Sequence, residues 1–85
     1  MPPTRHLFYI VYELLTNEYK ADSVDFIEEA KRLLGAETCK IKNTESGTKL
    51  IEFGIASEEV FCLVVQKTDY YAEKLNATMV ELHTA

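Results

Sequence analysis

The chain has 85 residues, 47% of them hydrophobic and 27% charged, with three glycines and two prolines. Such a length predicts one α+β-sized domain over 1–85, and the composition excludes collagen-like, linker and largely disordered sequences, because there is enough apolar surface to offset the entropy of ordering. A net charge of −5 and a pI near 4.9 argue against direct nucleic-acid binding, which needs a basic stripe to neutralise phosphates.

Residues 6–15 (HLFYIVYELL) are rich in aromatic and β-branched side chains and predict a strand apolar on both faces, central in its sheet. Residues 16–21 lose the periodicity and predict a loop. Asp22 or Ser23 then caps a helix whose first turns carry Asp25, Glu28 and Glu29 at the positive dipole end. Phe26, Ile27, Ala30, Leu33 and Leu34 share one face, and Glu28 pairs with Lys31 or Arg32 on the other. Gly35 follows where a left-handed C-terminal cap costs least. Residues 38–42 alternate, residues 43–47 have turn composition, and residues 49–55 alternate again with Ile51, Phe53 and Ile55 aligned, so the segment predicts a β-hairpin.

Residues 60–65 have strand composition, yet Ser57 followed by Glu58 and Glu59 is a helix start. Val60, Phe61, Val64, Thr68, Tyr71, Ala72 and Leu75 fall on one helical face, which a strand does not explain. An internal repeat favours the helix: Leu34-Gly35-Ala36 and Leu75-Asn76-Ala77 both read as a helix-ending Leu, a residue tolerant of positive φ, and the approach to an alternating strand. The expected fold is therefore α+β, a ferredoxin-like βαββαβ two-layer sandwich. The alternative is a βαβββα meander with a strand at 59–67 and a C-terminal helix from Asp69.

No apolar stretch approaches the roughly 20 residues that span a bilayer, and no signal-peptide cleavage pattern follows the first residues. Cys39 and Cys62 lack metal or redox spacing and read as reduced thiols, so a cytoplasmic protein is expected. The loop at 16–19 lacks a CxxC metal motif, residues 49–55 lack the aromatic-glycine-basic pattern of an RNA-binding sheet, and the glycines are scattered rather than clustered around a phosphate. No cofactor and no metal are expected, and no catalytic constellation is recognisable.

The feature with most functional content is the sheet face that the helices leave open. Period-two alternation assigns Cys39, Ile41, Ile51, Phe53, Ile55, Val80 and Leu82 to the covered face, and Lys40, Lys42, Leu50, Glu52, Met79, Glu81 and His83 to the open one. The first strand adds Leu7, Tyr9, Val11 and Glu13, or else Phe8, Ile10 and Tyr12. Taking Tyr9, Val11, Leu50, Glu52, Met79, Glu81 and His83 as the interface, the leading expectation is a non-enzymatic interaction or regulatory module, homodimeric through this face.

A second expectation uses charge. Glu13, Glu18, Asp22, Asp25, Glu28 and Glu29 stand against Lys20 alone, whereas the rest of the chain balances. An acidic inhibitor would present them to a basic protein surface, although a solvated helix start explains several of them. A third expectation is a small dimeric enzyme or ligand-binding protein with a cleft holding His6, His83, Glu81 and Tyr9. Antiparallel pairing of first and last strands would bring the two histidines to one end of the sheet, where the simpler account is two exposed strand-end side chains.

Overall fold

A computed structural model describes residues 6–15 and 24–84. The elements are β1 (Phe8–Leu14), α1 (Val24–Leu34), β2 (Thr38–Asn43), β3 (Lys49–Ile55), α2 (Glu58–Gln66), α3 (Thr68–Leu75) and β4 (Ala77–Thr84). The strands form a four-stranded sheet in the order β2-β3-β1-β4, with every neighbouring pair antiparallel. This is an α+β architecture compatible with a two-layer sandwich. The segment after Ser57 is helical, and the last strand begins at Ala77.

Local chemistry explains where the elements start and stop. Gly35 adopts φ 67°, its N–H donates to the Arg32 carbonyl at 3.3 Å, and the Ala36 N–H donates to the Lys31 carbonyl at 2.9 Å. Together these bonds make a Schellman cap that satisfies the end of α1. Asn76 repeats the left-handed step after α3, at φ 54° and ψ 56°. The two halves of the internal repeat thus end their helices by the same backbone device. Ser57 caps α2 by accepting the Val60 N–H at 3.3 Å. In the hairpin, Gly47 at φ 89° closes the turn, and Thr44 is bonded to Thr48 through both backbone and side chain, the Thr48 N–H reaching Thr44 Oγ1 at 3.1 Å.

The core lies between the sheet and the helices. Ile10, Tyr12, Leu14, Ile51, Phe53, Ile55 and Ala77 of the sheet meet Ala30 and Leu34 of α1, Val64 of α2 and Leu75 of α3. Val60, Phe61, Tyr71 and Ala72 pack against this cluster, so the stripe expected from helical spacing faces the sheet. The Tyr12 ring is fully buried, and its hydroxyl lies 3.3 Å from Thr68 Oγ1. That partner removes the cost of burying an unpaired hydroxyl.

Four expectations need correction or fall elsewhere. Residues 57–75 form two helices rather than one, broken at Lys67 (φ −109°, ψ 30°), whose N–H is shared between the Leu63 and Val64 carbonyls at 3.0 and 3.2 Å. Neither Gly nor Pro marks that break, so periodicity does not show it. Leu33 is an exposed residue rather than part of the α1 core face. Met79 turns toward the helices and packs on the core, whereas Val80 is largely exposed. The cause is a bulge: Tyr12 pairs with Met79 but Val11 pairs with Glu81, leaving Val80 as the extra residue. The expected loop at 16–21 and the Asp22 or Ser23 cap lie outside the described residues.

Candidate functional site

Strand register builds the open face as three rows running across the sheet. They are Thr38-Gly54-Tyr9-His83, Lys40-Glu52-Val11-Glu81 and Lys42-Leu50-Glu13-Thr78, each in the order β2, β3, β1, β4. Since Ile10, Tyr12 and Leu14 are in the core, alternation assigns Tyr9, Val11 and Glu13 to this side. Of the interface residues expected from sequence, Tyr9, Val11, Leu50, Glu52, Glu81 and His83 come together here. Met79 does not, because the bulge sends it to the helix side.

Glu52 is the centre of the polar contacts. Its side chain is only 12% exposed and meets Lys42 Nζ at 3.2 Å and His83 Nε2 at 3.7 Å. His83 Nε2 is also 4.0 Å from Glu81, and the His83 ring stacks on Tyr9 with centroids 4.9 Å apart and planes 17° from parallel. The His83 ring therefore stands among two carboxylates and an aromatic face. Thr48 Oγ1 donates to Glu13 at 3.4 Å at the other end of the face.

The apolar stripe expected on this face is mostly roofed by its own neighbours: Val11 is 3% exposed, and none of the large exposed hydrophobics belongs to these three rows. A feature not singled out in the sequence is Gly54. A Cβ there would clash first with Thr38 Oγ1 and would stand 3.1 Å from the Tyr9 ring and 3.2 Å from Leu7 Cδ1, so the missing side chain leaves room for these three neighbours. A glycine inside an alternating strand is the available signal for such a close approach.

The remaining candidates disperse. Asp25, Glu28 and Glu29 are exposed on α1, with Glu28 3.9 Å from Lys31, while Glu13 lies on the open sheet face, on the opposite layer. Glu18 and Asp22 lie outside the described residues, so the expected acidic surface is not assembled among the described ones. His6 meets Phe8 edge-on at 5.4 Å, and Phe8 stacks on Phe61 of α2 at 5.2 Å. His6 thus goes with the helix side and His83 with the open side, both exposed at the end of the sheet where β1 begins and β4 finishes. No group of three His, Cys, Asp or Glu among the described residues is arranged to hold a metal ion. No helix among them is long and apolar enough to cross a membrane.

No protein-family model matches the chain, and no curated protein is similar to it in sequence.

Proposed function

We propose that this protein is a non-enzymatic interaction module that forms a homodimer through its open sheet face. Helices following the first and third strands, with first and last strands side by side, fit the ferredoxin-like split βαβ sandwich, in which one sheet face stays free. That analogy carries fold alone. Unpaired Cys39 and Cys62 suit a reducing, cytoplasmic setting.

The observation that carries the dimer is the central row, Lys40-Glu52-Val11-Glu81, positive at the β2 edge and negative at the β4 edge. A second copy turned half a revolution about an axis parallel to the strands lays its β4 over β2. Lys40 then faces the partner's Glu81 at both ends of the row, and Gly54 faces the partner's Tyr9 in the next. Aligned packing of two sheets about 10 Å apart gives these side chains the reach to meet.

Sedimentation at micromolar concentration tests the proposal. Lys40→Glu and Glu81→Lys should each weaken association by about two- to thirty-fold, since each removes two exposed pairs worth roughly 0.2–1 kcal/mol apiece. The two substitutions combined should restore it. A wild-type chain that remains monomeric at about 100 μM would overturn the proposal, as would a double variant no better than the single ones.

A further inference from the structure

The two edges of the sheet are guarded differently. The β2 edge carries Lys40 and Lys42, side chains that discourage further strand pairing. The β4 edge (ATMVELHT) carries neither lysine nor proline, and its one irregularity is the bulge at Val80. Beside its last residues runs a groove lined by Phe61, Cys62, Val65 and Gln66 of α2 and by Leu82, His83 and Thr84 of β4. Leu82, 41% exposed, lines it, and Leu63, 53% exposed, lies on the adjoining surface that shares Cys62 and Gln66 with it. An edge strand, paired on one side only among the described residues, next to a groove against a helix is the arrangement used for strand addition: main-chain bonds hold the incoming segment, and every second side chain drops toward the helix.

Charge identifies the occupant. Ile55 pairs with Phe8 and Phe8 with Thr84, so α2 starts at the end of the sheet where β4 finishes. Glu58 and Glu59 are exposed there, α2 has no basic residue, and the surface continues from both glutamates through Cys62, Leu63 and Gln66. Neither glutamate has an ion-pair partner among the described residues. From this juxtaposition we infer that the α2–β4 groove takes an extended segment of a partner protein, apolar at alternate positions and basic at one end, added as a further strand beside β4. A second copy's β4 fits less well, because it brings Glu81 and no lysine or arginine to an acidic site.

The test is fluorescence anisotropy of the full chain with a short labelled peptide alternating valine and threonine and ending in two lysines. Saturable binding is expected, about ten-fold tighter than for the same peptide ending in two glutamates. N-methylation of alternate peptide amides should abolish it, and Leu63→Glu and Leu82→Glu should each weaken it about ten-fold. Leu63 is exposed on α2, so that variant is expected to keep its fold, checked by its melting curve. Lys40→Glu, which acts on the opposite side of the sheet, should leave peptide affinity unchanged; this separates failure of the groove from failure of the dimer. Equal affinity for the lysine and glutamate peptides, undiminished binding of the N-methylated one, or no binding at about 1 mM would overturn the inference. A change in sedimentation of the protein alone on Leu82→Glu would also overturn it, by assigning the edge to a second copy.

Discussion

Cys39 and Cys62 show how the same residue type acquires different chemistry from its place. Cys62 is exposed on α2, whereas Cys39 on β2 packs against the core. Burial pushes the Cys39 thiol up to about 11, an effect that Lys31 reduces and Glu28 increases. Since the thiolate is the reacting species, native-state labelling at pH 8 should modify Cys62 at least about ten-fold faster than Cys39. After Cys62→Ser only a slow phase should remain, and equal rates for the two thiols would contradict the burial assigned here. Gly54 makes the complementary point, since its contribution is the absence of a side chain where Thr38, Tyr9 and Leu7 close in.

The helices depend on a few terminal residues. Ser57 satisfies one of the orphan N–H groups of α2, and Ser57→Ala should lower stability by about 1 kcal/mol. That corresponds to roughly 4–8 °C in melting temperature for a domain of this size, and Ser57→Asp should retain most of it. Gly35→Ala acts at the other kind of boundary: it forces a Cβ into φ 67°, with Val60 Cγ1 3.3 Å away. Its cost should be about 1–2 kcal/mol, measured in the same melting experiment. A Gly35→Ala protein as stable as wild type would show that the left-handed cap does not hold the end of α1. The bulge in β4 belongs to this scale too, because one extra residue redirects Met79 and hence decides which side chains the open face contains.

For the molecule as a whole, the sandwich leaves titratable groups inside it that favour the protonated form. Burial raises the Tyr12 hydroxyl above its usual range, opposed by its bond to Thr68, and burial likewise raises Cys39 to about 11 from an ordinary value of 9.0. Both groups hold protons more tightly folded than unfolded, so between those two values the folded state binds more protons and stability must fall as pH rises. Urea midpoints measured from pH 8 to pH 11 should decline above about pH 9, and Cys39→Val should flatten the decline. A midpoint independent of pH across that interval would be inconsistent with the burial of Cys39.

Much of this was legible from side-chain order alone. Helical spacing from Val60 to Leu75, the Ser57 start and the shared Leu-Gly-Ala and Leu-Asn-Ala steps determined the helical segment and the final strand, because period and capping are local properties of the backbone. The same locality placed Tyr9, Val11, Leu50 and Glu52 on alternating positions and identified Gly35 as a cap. Which set of β1 side chains faces the helices was decided only by tertiary structure, since a strand apolar on both sides satisfies either choice until helices cover one of them. The β4 bulge, the break at Lys67 and the roofing of Val11 arise from fitting neighbouring elements together, and no period within one segment encodes them. The α2–β4 groove has the same origin: Phe61 and Leu82 are distant in sequence and become neighbours only when the last strand takes the edge beside β1.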